Sequence, residues 1–164
     1  MEYNDALARL RREGRVLPHD DPATDEARQR FEQLFDAFTP EALPEAVRTT
    51  YAADTFFNDS LRTVRDRETL AGYLAGSAEA VERCTVQVDE WTPAATGWYV
   101  RWRMTIRFRH FRRGTDTHSI GVSHIVFDRD RLVALHQDFW DAAGGFYEHL
   151  PVLGGLMRRI RRRL

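Results

Sequence analysis

Six residues near the end of the chain, His136–Asp141 (HQDFWD), contain two carboxylates, an imidazole and two aromatic rings. The stretch lies in a strand-like run, and alternation along a strand places His136, Asp138 and Trp140 on one face. A carboxylate beside aromatic rings is partly desolvated, which suits it to acid–base chemistry near neutral pH. We therefore regard Asp138 as a candidate general acid or base and His136 as the group that tunes it. The alternative is that Asp138 is a buried acceptor that fixes His136 or a backbone turn.

The His-x-Asp spacing of His136 and Asp138 is also the first part of a facial triad that binds iron. Such a triad takes its second histidine from a distant strand, whereas only His149 follows in this sequence, on a predicted helix. The chain also has no phosphate loop, no dinucleotide fingerprint and no nucleophile elbow. We therefore predict no metal site and no cofactor.

Asp59 is a second candidate acid. It ends the stretch Tyr51–Asp59 (YAADTFFND), directly after two aromatic residues and an asparagine. The plain alternative is that its carboxylate accepts hydrogen bonds in an Asx turn between a helix and a strand, which is a common use of aspartate.

The composition excludes several classes of protein. With 164 residues, 43% of them hydrophobic, the chain can form one domain with a full core. The net charge of −1 gives no overall field that would favour nucleic acid. The single cysteine cannot form an internal disulfide, and the sequence shows neither a signal peptide nor an apolar run of about 20 residues. We expect a soluble, cytoplasmic protein that does not bind nucleic acid.

The N-terminal half of the chain is predicted to be mainly helical. Residues 1–24 form a short helix and a polar connector, and the apolar stripe within 25–38 predicts an amphipathic helix. The pattern then predicts a helix over 41–52, a short strand within 55–65, and a further helix that begins after a capping Asp66.

From residue 84 onward the pattern changes to four strand-like runs that are separated by turn residues. Alternation is clearest over 98–109, where apolar residues share one face and the arginines Arg101, Arg103, Arg107 and Arg109 share the other. We interpret the arginines as a solvated or dimer-edge face, although a bulge could turn Arg101 or Arg103 inward. Helices followed by an antiparallel meander predict an α+β fold.

These segments together resemble a known family. Three helices, the stretch YAADTFFND, a helix that opens with RDRETLAGYL and a meander that ends in FDRDRLVALHQDFWD resemble the SnoaL-like group of the nuclear-transport-factor-2-like superfamily. Ketosteroid isomerase, scytalone dehydratase and limonene epoxide hydrolase are relatives. The resemblance covers residues 25–149 and implies a cone-shaped, curved antiparallel sheet that wraps around the N-terminal helices and encloses an apolar pocket. It also implies a homodimer that forms through the convex face of the sheet.

The resemblance also implies site residues. Asp59 matches the proton-shuttling aspartate of ketosteroid isomerase, and Asp138 matches the first aspartate of the epoxide hydrolase stretch RDYFD, which acts as a general acid. The pocket then receives His136 and Asp138 on its inner wall. The remaining binding residues that the resemblance implies are Trp140, Trp102, Phe57, Phe35 and Ser123.

The sequence departs from both relatives. Where the isomerase has its oxyanion-hole tyrosine, this chain has Leu34 and Phe35, neither of which can donate a hydrogen bond. The Arg-Asp pair of the hydrolase is represented on the 98–109 strand only by Arg101 and Arg103, without an acid.

Two functions follow from these residues. The first is a cofactor-independent isomerase, dehydratase or epoxide-type hydrolase that acts on a small apolar molecule, with Asp138, Asp59 and His136 as its catalytic groups. The second is a non-catalytic module of the same fold that carries a ligand or serves as an accessory subunit.

The C-terminal residues 150–164 form a separate segment after Pro151 in our interpretation. Their apolar residues fall on one face of a predicted helix and five arginines fall mostly on the other. This pattern fits a helix that docks on its own domain or on a partner subunit, and it also fits weak contact with a membrane surface.

Overall fold

Four helices and six strands make up the computed structural model, which describes residues 2–110 and 114–141. In chain order the elements are α1 (Glu2–Arg12), α2 (Thr24–Gln33), α3 (Leu43–Thr50), β1 (Tyr51–Asn58), β2 (Thr63–Val64), α4 (Arg67–Glu79), β3 (Val81–Pro93), β4 (Trp98–Phe108), β5 (Asp116–Phe127) and β6 (Val133–Trp140). The predicted α+β class and the four C-terminal strands are confirmed.

The six strands form one curved, unclosed sheet in the order β2-β1-β6-β5-β4-β3. The β3–β6 segment is the predicted antiparallel meander, but β1 pairs with β6 in parallel. The predicted curved antiparallel sheet is thus found with one addition, because the parallel pairing of β1 with β6 makes the sheet mixed. The parallel pairing is possible because α4 and the meander lie between β1 and β6 in the chain and provide the long crossover that it needs.

Two of the predicted boundaries differ from the structure. The helix predicted over 25–38 ends at Gln33, and the amides of Phe35 and Asp36 bond to the third residue back, which tightens the chain into turns. The helix predicted over 41–52 ends at Thr50, and β1 begins at Tyr51, inside the segment predicted as helix. By contrast, the predicted cap of α4 is confirmed, since the Asp66 carboxylate accepts a hydrogen bond of 2.8 Å from the amide of Thr69.

The sheet packs on both of its faces. Its inner face packs against α2, α3 and α4 in the larger core, to which Phe31, Val47 and Leu70 contribute. Its outer face is partly covered by α1, which buries Leu10 in a second core with residues of β1, β5 and β6. Tyr99, Ile120 and Phe139 remain exposed large hydrophobic residues of the sheet. The homodimer through this outer face stays a prediction.

The register of β4 determines on which face of the sheet Arg101 and Arg103 lie. Trp98, Val100 and Trp102 are buried on the inner face, so Arg101 and Arg103 lie on the outer face. There both guanidinium groups pair with Asp89, at 3.1 Å and 2.8 Å. Neither arginine is among the residues that line the cavity described below.

Several predictions concern residues 142–164, which lie outside the described part of the chain. They include most of the helix expected at 141–149, the end of the domain at residue 149 and the basic helix over 150–164 with its membrane contact. Within the described part, none of the helices combines the length and the apolar character required to cross a membrane.

Ion pairs with Asp54 on β1 hold α1 and its following turn on the sheet. Arg15 donates to both oxygens of the Asp54 carboxylate, at 2.6 Å and 2.9 Å, and Arg9 lies 3.3 Å away. The hydrogen bonds from Arg15 lower the pKa of Asp54 below its ordinary value. A carboxyl whose pKa is lower in the folded state stabilises the fold above its unfolded pKa, and the contribution disappears as the pH falls through the folded pKa.

We therefore expect Asp54→Asn to reduce the free energy of unfolding at pH 7 by about 1 kcal/mol, since the pair is partly exposed to solvent. The difference from the unchanged protein should shrink as the pH falls below about 4. Urea unfolding across this pH range measures both effects. Asp20→Asn, at an exposed position in the connector between α1 and α2, is the matched control. An equal loss of stability at every pH would contradict the prediction.

Candidate functional site

A cavity of about 600 Å³ lies between the inner face of the sheet and helices α2 and α4. This volume is within the range of pockets that enclose drug-sized molecules. Its wall is mainly aromatic and aliphatic. All of the residues that were predicted to bind a ligand lie on this wall, namely Phe35, Phe57, Trp102, Ser123 and Trp140, and so do the three predicted catalytic residues Asp59, His136 and Asp138.

Asp138 on β6 is held by the neighbouring strand. Its register partner on β5 is Ser123, whose hydroxyl donates to Oδ1 of Asp138 at 2.5 Å. The serine oxygen in turn accepts a hydrogen bond of 2.8 Å from the indole N–H of Trp102 on β4. Three adjacent strands thus contribute to one chain of hydrogen bonds that ends on the carboxylate of Asp138.

A second chain of hydrogen bonds reaches the same oxygen from the other side. Nε2 of His136 lies 2.7 Å from Oδ1 of Asp138, and Nδ1 of His136 lies 2.8 Å from the hydroxyl of Tyr51. If Nε2 carries the proton and donates to the carboxylate, Nδ1 is the acceptor for the Tyr51 hydroxyl, so every donor in this arrangement meets an acceptor. The hydrogen bonds therefore assign His136 the Nε2–H tautomer, with both nitrogens bonded within the protein.

Among the described residues, the two chains of hydrogen bonds leave one oxygen of Asp138 without a donor. Oδ1 of Asp138 accepts from both Ser123 and His136, whereas Oδ2 receives no hydrogen bond from any residue in the described ranges 2–110 and 114–141. The Asp138 side chain is 14% exposed and lies on the cavity wall. Oδ2 is thus the oxygen of Asp138 that is open to a bound molecule, while His136 holds the other oxygen in place.

Tyr51 is a site residue that the sequence prediction missed. It was assigned to the end of a helix, but it is the first residue of β1, fully buried, and its hydroxyl reaches His136. Burial, together with the charge of Asp138, raises the pKa of Tyr51 well above its ordinary value, so the phenol keeps its proton. The only sequence signal for it was its position at the start of the stretch YAADTFFND.

Asp59 lies on the same wall but belongs to a different cluster. Its Oδ1 accepts from the amides of Leu61 and Arg62, at 2.9 Å and 2.8 Å, which is the Asx-turn arrangement given above as its plain alternative. Its Oδ2 accepts a hydrogen bond of 2.5 Å from the hydroxyl of Tyr73 on α4. Burial is the main cause that raises the pKa of Tyr73, followed by this hydrogen bond. Both oxygens of Asp59 are therefore already occupied.

Tyr51 and Tyr73 are two tyrosines of the cavity wall, but they do not replace the tyrosine that is missing from α2. Each brings a phenolic hydroxyl to the cavity wall from a different element, β1 and α4. Both hydroxyls are donated within the protein, one to His136 and the other to Asp59. Neither proton is directed at a ligand in this arrangement.

His124 and Cys84 are two further ionisable residues, and neither takes part in the hydrogen bonds that hold Asp138. His124 is on the opposite face of β5 from Ser123, where it contacts the Tyr3 hydroxyl and the carbonyl of Thr96, and burial lowers its pKa. Cys84 lies on the cavity wall, but burial raises the pKa of its thiol to about 12, so the reactive thiolate does not form near neutral pH. Within residues 2–110 and 114–141, no three His, Cys, Asp or Glu side chains are grouped as a metal site.

The sequence matches no protein-family model and no curated protein. The structure, in contrast, is similar to many solved structures. A hypothetical protein from Catenulispora acidiphila with a ketosteroid isomerase-like fold, solved in complex with trimethylamine, has a TM-score of 0.63 at 18% identity, over 77% of this chain and 94% of that chain.

Two further similar structures are described by an activity or a family. A protein from Jannaschia sp. CCS1, described as a SnoaL-like polyketide cyclase, has a TM-score of 0.61 at 18% identity, over 77% of this chain and 93% of that one. An epoxide hydrolase from M. tuberculosis, described as similar to limonene epoxide hydrolase, has a TM-score of 0.58 at 18% identity, over 86% and 99%. At this level of identity the similarity establishes the fold. The chain has the nuclear-transport-factor-2-like fold, which its SnoaL-like and ketosteroid isomerase-like neighbours share.

Proposed function

We propose that this protein binds a small apolar molecule in its cavity and catalyses a proton transfer on it, with Oδ2 of Asp138 as the acid–base group. The observation that carries the proposal is the arrangement at Asp138, where one carboxylate oxygen is held by Ser123 and His136 and the other is left for a ligand. The rest of the wall is mostly apolar, so it would hold the ligand by burial and exclude water around the reacting atoms.

Isomerisation and dehydration are the reactions that this arrangement supports best. In an isomerisation, Oδ2 of Asp138 takes a proton from a carbon beside a carbonyl and returns it to a different carbon, so no proton is gained or lost. In a dehydration, the same proton passes to the departing hydroxyl, which leaves as water. An epoxide hydrolysis of the limonene type has less support, because Arg101 and Arg103 pair with Asp89 on the outer face of the sheet.

Asp59 has a supporting role in this proposal. Its carboxylate is occupied by two amides and by the Tyr73 hydroxyl, so it shapes the wall and orients Tyr73. The indole N–H of Trp140 also donates to the Asp59 carbonyl at 2.7 Å, which connects this cluster to β6.

Ligand carriage without chemistry is the second candidate function. The observation that favours it is that the hydroxyls of Tyr51 and Tyr73 both donate hydrogen bonds within the protein. Neither is therefore available to stabilise a developing oxyanion. A carrier would need only the apolar wall and one polar group for orientation.

We expect Asp138→Asn to lower the rate of proton exchange or turnover by about 10²- to 10⁴-fold, because the amide cannot accept and return a proton. The measurement is hydrogen–deuterium exchange and product formation, by NMR and mass spectrometry, with a panel of unsaturated and β-hydroxy ketones that fit the cavity. Asp59→Asn should have a smaller effect, and the exposed Asp20→Asn should have none.

Two results would contradict the catalytic proposal. The first is full activity in Asp138→Asn. The second is binding of the panel without exchange or turnover in the unchanged protein, which would instead support ligand carriage.

A further prediction concerns Tyr51 and the protonation of His136. Tyr51→Phe removes the donor to Nδ1 and leaves that nitrogen buried without a partner, while the Asp138 carboxylate still accepts from Nε2–H. Nitrogen-15 NMR of His136 should show the Nε2–H form in both proteins, with the Nδ1 signal displaced in the variant because that nitrogen has lost its hydrogen bond. Tyr73→Phe removes a hydroxyl from the same cavity and should leave the His136 spectrum unaltered. An Nδ1–H imidazole in the unchanged protein would contradict the assignment.

A further inference from the structure

Gly121 on β5 lies directly beneath the indole ring of Trp102. A Cβ atom built on Gly121 would lie 2.3 Å from Cζ2 of Trp102, 2.5 Å from Cη2 and 2.9 Å from Cε2. The backbone of Gly121 does not have the positive φ that would require glycine. The constraint at this position is therefore the space that the Trp102 ring occupies, and glycine in a strand is a sign of such a close approach.

The position of that ring determines a hydrogen bond of the site. Trp102 and Gly121 are register partners on β4 and β5, and Gly121 is also the register partner of Trp140 on β6. With the ring lying over Gly121, the indole N–H points along β5 to Ser123, at 2.8 Å from the hydroxyl oxygen. Cε2, one of the atoms that an alanine would displace, is bonded to the nitrogen that makes this hydrogen bond.

The hydrogen bond from Trp102 restricts the Ser123 hydroxyl. A serine hydroxyl rotates freely unless its lone pairs or its proton are engaged. Here the oxygen accepts from the indole, which leaves its proton directed at Oδ1 of Asp138. Without the indole N–H, the serine could turn toward other acceptors or toward the ligand, and the Asp138 carboxylate would lose one of the two hydrogen bonds that orient it.

We propose that Gly121 is a positioning residue of this site: its missing side chain admits the Trp102 ring, so that Trp102 orients Ser123 and Ser123 orients Asp138. This inference rests on the proposed function, since it assigns Gly121 a part in presenting Oδ2 of Asp138 to a ligand. It also predicts that the site prefers ligands that donate a hydrogen bond to that oxygen.

The test is a comparison of five proteins with two probes of nearly equal shape. The proteins are the unchanged chain, Gly121→Ala, Trp102→Phe, the double variant of these two changes, and Asp138→Asn. The probes are 2-naphthol, which can donate a hydrogen bond to Asp138, and 2-fluoronaphthalene, which cannot. Equilibrium dialysis gives the ratio of the two dissociation constants for each protein, and this ratio isolates the polar contact from the apolar contacts.

We expect the unchanged protein to prefer 2-naphthol by about tenfold or more, as is typical of a hydrogen bond to a charged group. Gly121→Ala and Trp102→Phe should each remove most of this preference. The double variant should lose no more of the preference for 2-naphthol than Trp102→Phe alone, because both changes act through the same indole N–H. An unreduced preference in Gly121→Ala, or losses that multiply in the double variant, would overturn the proposal.

The result separates this inference from the proposed function. If neither probe binds the unchanged protein, or if Asp138→Asn keeps the preference for 2-naphthol, the proposed function fails. If Asp138→Asn loses the preference and Gly121→Ala retains it, only the role of Gly121 fails.

A second measurement does not depend on ligand binding. The indole N–H signal of Trp102, assigned by its absence in Trp102→Phe, should exchange slowly with solvent in the unchanged protein and faster in Gly121→Ala. Unaltered exchange would overturn the proposal. If Gly121→Ala alone does not fold, the double variant must fold, because the smaller phenylalanine ring vacates the space above residue 121. Failure of the double variant to fold would show that the added methyl group meets something other than Trp102.

Discussion

The antiparallel register between β5 and β6 is the constraint on which the site depends. It sets Ser123 opposite Asp138 and Gly121 opposite Trp140, so that four residues of the cavity region are fixed relative to one another by backbone pairing. Side chains alternate between the two faces of a strand, so a slip of one residue would turn Asp138 to the outer face. The apolar residues that flank the site, such as Ile125 and Val133, are completely buried on the inner face and oppose such a slip.

The polar groups of the cavity wall are arranged so that nearly every donor is used inside the protein. A buried donor or acceptor without a partner costs about 1–3 kcal/mol, so the hydroxyls of Tyr51, Ser123 and Tyr73 are each directed at an acceptor. Among the described residues, Oδ2 of Asp138 is the one oxygen of the two wall carboxylates that receives no hydrogen bond.

The two faces of the sheet carry different groups. The inner face carries the cavity, while the outer face carries α1, the arginine ion pairs and the buried His124. The alternation of side chains along β5 separates Ser123 from His124 although the two are adjacent in sequence. A histidine beside a site residue in the sequence is therefore no indication of a shared site when the segment is a strand.

The sequence alone was sufficient for those features that repeat locally. The alternation in β4 correctly predicted the inner face with Trp102 and the outer face with Arg101 and Arg103, and Asp66 correctly predicted the start of α4. It also placed His136, Asp138 and Trp140 together, because alternation in one strand needs no knowledge of its neighbours. The resemblance to the SnoaL-like group supplied the fold, which the structure confirms.

Only the tertiary structure decided which partners these side chains have. The start of β1 at Tyr51 and its parallel pairing with β6 were missed, because the local pattern around Tyr51 continues a helix and the pairing joins distant parts of the chain. The bond between Tyr51 and His136 spans 85 positions, and that between Trp102 and Ser123 spans 21. The local alternation of the sequence thus determined that the carboxylate of Asp138 shares a face with His136 and Trp140. Which of its two oxygens faces the cavity was decided by packing, since hydrogen bonds from distant strands occupy the other.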